Sequence, residues 1–531
     1  MVTVVRAITV APGVFAPGHL GELTQVVPFE LVDAVLAEAG GVERRLRELP
    51  SRVGVYFLLA MCLFPQVGYR LVWGKLVAGL GGLAVPDPCA KALRDLRRRV
   101  GVGPVRALFE VLAGPLASPG APGVCFAGYR TVSFDGCTSQ KVPDTVRNRD
   151  WLGGARERDG FPRVCLMTLV ETGTRALVGA VFGTTGIGEI AYATRLLHLL
   201  GVGMLVLWDR GFDSAEFLAA VHGTGAKILG RMTGNRRPPV LVRLSDGSYL
   251  SRIGGVPARV IEAEITVRCQ DGTAFTGAYR LVTTLTCHRR HPAAELIRCY
   301  HERWEHESAY YALRHTMLDG RVLRSGDPVG LEQEIWALLC LYQALRTVML
   351  DAVQQRPGTD PDRAAFTVAH QHARDLVIKA EAVVHDPADR LGPLGRAVLG
   401  ALLPPRRLRV STRKLKSTHV RYHVRKNDGR PLTSQNVTAL EITVVEPDLP
   451  GPAPDTPPPA TPDPGRHRLA RVLELMHSDP QRPWHGAEIA HRLDAENLNA
   501  LRVQLSKWSH QGHLRKTGPA IYTLPPTAPA P

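Results

Sequence analysis

None of the nine cysteines forms a Cys-x-x-Cys pair, no apolar run is long enough to span a bilayer, and acidic residues are scarce beside basic ones. Each shortage excludes something. Without paired cysteines at metal-ligand spacing, a zinc ribbon is not indicated. The N-terminus has no charged segment followed by an apolar stretch and a small-residue cleavage site, so secretion is not indicated either. The longest plain apolar run, Val55 to Phe64, falls well short of the roughly 20 residues that cross a membrane. The expectation is a soluble protein of a reducing, intracellular compartment with no membrane partner. Asp and Glu number 49 against 65 Lys and Arg, for a net charge of +16 and a pI near 9.7. Arg greatly outnumbers Lys, which suits forked, bidentate contact with phosphates, and nucleic acid is the expected partner.

The 531 residues allow several domains and a large core. From about Leu20 to Leu116 the pattern is helical: Leu31, Val35 and Leu36 recur at helix spacing, Pro28 suits a first helical position, and Ser51 can cap Arg52 to Leu63. This predicts a self-contained helical domain over 1–116, closed by the Gly- and Pro-rich stretch Gly114 to Gly123. Strand-like runs follow at Arg130 to Phe134, Val164 to Val170 and Ala176 to Phe182. Next come a helical pattern at Glu189 to Leu200, a strand at Met204 to Trp208, a helix at Ser214 to His222 and a strand about Lys227 to Leu229. The order β-β-β-α-β-α-β is that of an α/β ribonuclease-H-like fold, in which the first and fourth strands are neighbours. Alternating runs with Asp-Gly turns over about 238–286 read as a β-rich insertion within a catalytic domain spanning 124–403.

A basic segment, 404–445, comes next; Arg406 to Arg430 holds ten Lys or Arg against one Asp, a density that favours phosphate contact. Residues 446–465 are dominated by Pro and form a semi-rigid spacer. The last module, 466–531, carries three amphipathic stretches and a closing hairpin pattern, the order of a winged helix-turn-helix. Arg502, Gln504 and Lys507 lie on its third stretch, where a groove-reading helix is expected. The competing reading of that module is a protein-contact surface.

Three acidic residues stand in small motifs of their own: Asp135 in Ser-Phe-Asp-Gly, Asp209 in Trp-Asp-Arg-Gly-Phe, and Glu307 in Tyr-His-Glu-Arg-Trp-Glu-His-Glu. Asp135 and Asp209 each follow a β-branched or apolar run, which predicts carboxylates at the C-terminal ends of buried strands, where ligand sites gather. Three carboxylates and no sulfur suit hard Mg²⁺, and two such ions about 3.5–4 Å apart can act on both sides of a phosphodiester. A lone Asp-Gly is ordinarily a turn, and Asp144 and Asp213 are read as turn or cap residues. His301 and His306 are read as solvated or structural, and Tyr279 and Trp304 as core residues with base stacking as the alternative. Tyr300, Arg303, Glu307 and Arg314, at offsets of three, seven and fourteen, are placed near one helical face.

These motifs resemble the IS4 family of bacterial DDE transposases. Asp135-Gly136 followed by Val142-Pro143-Asp144-Thr145 and Asn148 is similar to the block around that family's first catalytic Asp, and Asp209-Arg210-Gly211-Phe212 to the second. Tyr300, Arg303 and Glu307 match the spacing of the family signature Tyr, two residues, Arg, three residues, Glu, six residues, Lys; position 314 is Arg here. The resemblance spans roughly Leu20 to Arg430 and leaves out the last module. It selects Glu307 rather than Glu302 or Glu305 as third ligand. It implies that Asp135, Asp209 and Glu307 bind two Mg²⁺, with Mn²⁺ as a substitute, and that Tyr300, Arg303, Arg314 and Arg210 meet DNA. It also implies double-stranded DNA partners, terminal inverted repeats and target DNA, a homodimer in the synaptic complex and a cytoplasmic, nucleoid-associated location. The alternatives are a metal-dependent nuclease of the same fold without strand transfer, and a non-catalytic DNA-binding regulator.

Overall fold

The computed structural model describes residues 18–525 apart from 42–46, 154–159, 387, 390, 406, 408, 411–413, 416–422, 425–434, 447–463, 496–500, 502–503, 507, 510–511 and 519. It divides into two compact units, Met1–Asp448 and Leu449–Pro531.

The first unit opens with helices α1 (Phe29–Glu38), α2 (Ser51–Leu63), α3 (Tyr69–Val77), α4 (Ala90–Val100) and α5 (Gly103–Leu112). Boundaries move by a residue from those expected, with Pro28 and Pro50 at the caps of α1 and α2. The mixed region follows as β1 (Cys125–Phe126), β2 (Tyr129–Lys141), α6 (Val146–Leu152), β3 (Arg163–Glu171), β4 (Leu177–Thr184), α7 (Glu189–Thr194), β5 (Met204–Trp208), α8 (Ala215–Gly223) and β6 (Lys227–Arg231). From β2 this is the β-β-β-α-β-α-β order with one short helix, α6, added between β2 and β3. β2 pairs in parallel with β5 through Ser133 and Leu207, and antiparallel with β3. The insertion contributes β7 (Val242–Arg243), β8 (Tyr249–Ile253), β9 (Val256–Cys269) and β10 (Ala274–Thr283), and β10 joins β6 so that one mixed sheet runs through both parts.

Strand alternation sorts the sheet into two faces. Val132, Phe134, Val206 and Trp208 pack with Tyr192, Ala193 and Phe217 of α7 and α8. Leu205, Leu207 and Leu229 face Leu296, Ile297 and Tyr300 on the other side. That second face is covered by α9 (Ala293–Tyr300), a 3-10 turn at His301–Arg303, α10 (Trp304–Tyr311) and a π-helical stretch at Ala312–Met317.

The expectation of a self-contained N-terminal helical domain is corrected. α1 to α5 share one apolar core with α11 (Pro328–Gln354), α12 (Phe366–Lys379) and α13 (Gly392–Gly400). Periodicity says that a helix buries a stripe, not which partner covers it. Among the described residues α11 alone is long and apolar enough, by length and composition, to cross a membrane, but 89% of that window is buried inside the protein. Its polar residues bond within the core: Gln333 donates to the carbonyls of Arg97 and Gly101, and Gln343 accepts from the Leu177 amide at 2.9 Å. A core helix explains all of this.

A second correction falls in the basic segment. After the short strands β11 (Arg409–Val410), β12 (Lys414–Leu415) and β13 (His423–Val424), residues Gln435–Val444 form a ten-residue strand, β14, that pairs antiparallel with β9. Leu440, Ile442 and Val444 pack on the insertion's core. Their alternation with Glu441 and Thr443 was a readable strand signal, overshadowed by the charge run before it. Arg407, at the start of that run, is held by protein carboxylates, donating to Glu302 at 2.7 Å and Asp360 at 2.6 Å. Most of Arg406 to Arg430 and the Pro-rich spacer lie outside the described residues.

The second unit has α14 (Pro464–His477), β15 (Trp484–His485), α15 (Gly486–Arg492), helical residues at Leu501, Gln504–Ser506 and Trp508–Ser509, and a hairpin of β16 (Arg515–Gly518) and β17 (Ile521–Thr523). β15 adds to the hairpin as a third strand. Val472, Met476, Trp484, Ile489, Leu505, Trp508 and Tyr522 form a core of its own.

Candidate active site

Asp209 follows the last residue of β5 and caps the 3-10 turn Arg210–Phe212, its Oδ1 accepting the Gly211 amide at 2.7 Å. It is half-buried, whereas Arg210 beside it is exposed. Asp135 sits two residues past Ser133, the end of the parallel pairing of β2 with β5. It is not at the strand's own end as expected, because β2 continues to Lys141 along β3. Adjacent parallel strands nevertheless bring the two carboxylates to one edge of one face.

The helix from Ala293 delivers the rest, and three of its residues bolt it to the sheet. Tyr300 is buried and its hydroxyl donates to the carbonyl of Trp208, the residue before Asp209, at 3.1 Å. Tyr310 is buried and its hydroxyl donates to the carbonyl of Asp135 itself at 2.7 Å. Between them His306 lies fully buried, with Nδ1 2.8 Å from Ser133 Oγ on β2 and Nε2 2.7 Å from Thr168 Oγ1 on β3. Burial pushes His306 down to about 3, and His301 to about 4, so both rings are neutral near pH 7. His306 is a structural bridge with both nitrogens engaged. None of these bonds was expected from sequence; the signal was a Tyr-x5-His-x3-Tyr pattern of polar tips on a buried face, which periodicity reads only as core.

Arg303 is corrected from a DNA contact to an internal one. Its side chain is 8% exposed, with Nη1 3.7 Å from Asp135 and Nη2 3.5 Å from Glu307. Two carboxylates draw a guanidinium inward more strongly than solvent holds it out. Tyr300 is buried for the reason already given, so it too is no surface DNA contact. Glu307 remains 51% exposed. The neighbouring acids are engaged elsewhere: Glu302 with Arg407, and Glu305 in a buried ion pair with Arg175, which also meets Asp362. Among the three glutamates only Glu307 lies toward Asp135. Arg314 is half-buried within the π-helical stretch, so the even α-helical register that put it on the face of Glu307 does not hold there. Arg502 and Lys507 lie outside the described residues.

The flanking motifs are structural. Thr145 caps α6, Asn148 donates to the carbonyls of Pro143 and Ser325, and Asp144 pairs with Arg149 at 2.5 Å. Asp213 accepts from the Thr233 amide at 2.7 Å and ties the turn after Asp209 to the end of β6. Tyr279 packs edge-on against Tyr300 with Arg231 over its ring, and Arg303 lies over Trp304.

Burial pushes the Asp135 carboxyl up to about 7; Arg303 opposes this, and the Glu307 and Asp209 carboxylates add to it. Glu189, the first residue of α7, is likewise raised by burial and then by Asp209. Converging carboxylates that repel one another at an open, oxygen-lined edge are what a divalent cation would neutralise. Among the described residues no three His, Cys, Asp or Glu side chains are gathered closely enough to cage a metal unaided.

Two family models match the chain: the insertion element 4 transposase N-terminal model over residues 17–110 and the transposase DDE domain model over residues 128–344, which contains Asp135, Asp209 and Glu307. The chain belongs to the IS4 family of DDE transposases. Transposase InsG for insertion sequence element IS4 from Escherichia coli (strain K12) is 28% identical over 350 residues, 64% of this chain and 78% of that one. The putative transposase InsZ of the same organism is 24% identical over 204 residues, 38% of this chain and 66% of that one. A piggyBac transposase synaptic complex with hairpin DNA aligns at a TM-score of 0.37 and 10% identity over 72% of this chain and 84% of that one, too loose an overlap to define the fold. Membership in the family makes this IS4-family protein a DNA-binding, DNA-cleaving transposase that acts in DNA transposition, and a DDE domain implies dependence on a divalent metal.

Proposed function

We propose that Asp135, Asp209 and Glu307 are the acidic triad of this transposase and hold two Mg²⁺ ions, for which Mn²⁺ can substitute. The observation that carries this reading is the convergence of the three carboxylates at one sheet edge, fastened by Tyr300 to the strand of Asp209 and by Tyr310 to Asp135. Bound there, two divalent ions would supply activation of the attacking oxygen and stabilisation of the leaving oxygen. Arg303 holds Asp135 and Glu307 in register and balances their charge before any cation arrives. In the proposed sequence, water attacks the phosphodiester at a transposon end and the bond to the 3′ oxygen breaks. The freed 3′-hydroxyl then attacks a target phosphodiester, forming a bond between the transposon 3′ oxygen and the target's 5′-phosphate while the target's own 3′ oxygen leaves as a hydroxyl. Arg210 and Arg314 are proposed to meet backbone phosphates, Arg210 being exposed beside Asp209.

The proposal extends to terminal inverted repeats as the recognised DNA, a homodimer in the synaptic complex and a cytoplasmic, nucleoid-associated location. These are what the resemblance to the family implies; the basic charge of +16 supports the nucleic-acid partner. The deciding experiment incubates the protein with its element's own end DNA and Mg²⁺ and maps cuts and joined products. Joining of a pre-cut end to plasmid DNA is expected, with no product in EDTA. Cleavage without joining would leave only the nuclease reading, and neither product would leave the regulator.

The second unit is proposed to be a winged-helix DNA-binding module, with Arg502 and Lys507 on its recognition helix. Its order of helices around one core, closed by a three-stranded hairpin sheet, supports this. Deleting Arg466 to Pro531 is expected to weaken DNA binding and flatten its salt dependence while the first unit melts as before. Unaltered affinity in a salt titration would mark the module as a protein-contact surface instead.

A further inference from the structure

Glu189 takes no part in the signature motifs, yet the fold brings it to the same edge from the other side of the sheet. It begins α7, which packs on the Phe134 and Trp208 face, opposite the face of Tyr300. Two glycines let its carboxylate reach the strand ends. A Cβ on Gly136 would lie 2.5 Å from Glu189 Oε1, so no other residue type leaves that carboxylate in place. A Cβ on Gly211 would lie 3.7 Å from Glu189 Oε2 and 3.0 Å from Asp209 Oδ1, so the two carboxylates flank the same glycine. Among the described residues Glu189 has neither a hydrogen-bond donor nor a cation beside it, in contrast to Glu302 and Glu305, which are each paired with an arginine. A half-buried carboxylate facing another carboxylate with no donor between them is costly unless a cation is shared.

We propose that Glu189 is a fourth acidic residue of the metal site, giving an oxygen ligand to the divalent ion held by Asp209. The ion would then be approached from both faces of the sheet, by Glu189 from one and by the Asp135 and Glu307 side from the other. The proposal rests on the reading of Asp209 as a metal ligand.

The test titrates the full-length protein with Mn²⁺ and follows free Mn²⁺ by electron paramagnetic resonance, with no DNA turnover required. Glu189→Gln is expected to weaken Mn²⁺ binding on the order of tenfold or more, and Asp209→Asn serves as the reference. If Asp209→Asn loses Mn²⁺ while Glu189→Gln stays within about twofold of the parent, the Glu189 proposal is overturned and the metal site stands. If neither variant changes Mn²⁺ binding, the metal site itself is wrong and Glu189 falls with it. Should Glu189→Gln fail to fold, as judged by its melting curve, Glu189→Asp decides: a shortened side chain is expected to weaken binding several-fold, and parental affinity would overturn the assignment.

Discussion

Asp209→Asn is expected to abolish metal-dependent cleavage of transposon-end DNA while leaving the fold and DNA affinity in place. The change is isosteric, and an amide oxygen at position 209 can still accept the Gly211 amide that shapes the turn. What is lost is the negative charge on the half-buried edge of β5. Loss of an outer-shell partner typically costs roughly 10–100-fold, and loss of a direct ligand costs more. Single-turnover cleavage alongside a thermal melt separates the two effects. A variant that melts like the parent and still cuts at the parental rate would remove Asp209 from the metal site.

Arg175→Met is expected to destabilise the first unit by about 3–5 kcal/mol, the range for breaking a buried ion pair by removing one partner. Arg175 is 5% exposed and serves two buried acids, Glu305 at 3% and Asp362 at 2%. Its own carbonyl accepts from Tyr342 of α11 at 2.8 Å, so the turn between β3 and β4, the helix of Glu307 and the core helix meet at one side chain. Methionine fills the volume but removes the cation that these two buried carboxylates share. Denaturant unfolding is the measurement. A loss under about 1 kcal/mol, the worth of an exposed pair, would mean the acids find water or another cation. Because Glu305 lies two residues before Glu307, cleavage is expected to fall even at temperatures where the variant stays folded.

The elements legible in the sequence were those with a period. β2 to β6 alternate or run apolar between turn residues, and their order alone placed Asp135 beside Asp209. The signature spacing likewise separated Glu307 from Glu302 and Glu305, whose side chains the fold commits to Arg407 and Arg175. What stayed illegible depends on contacts between distant segments. The helical stripes of α1 to α5 could not announce α11 as their partner. Arg303 looked like a phosphate ligand because its charge is visible in the sequence, while the two carboxylates that draw it inward become neighbours only after folding. Tyr310 and Glu189 belong to no motif, and only the folded sheet shows what their polar ends reach.

The strand Gln435–Val444 decides where this protein can be cut. A fragment ending at Leu403, where the catalytic domain reads as complete from sequence, would strip β9 of its partner over Ala263–Cys269. That leaves a row of backbone donors and acceptors open beside an apolar face, a template for pairing between molecules. The smallest soluble catalytic fragment therefore runs through Val444, and the tether to the second unit begins at the rim of the insertion rather than at the helical core.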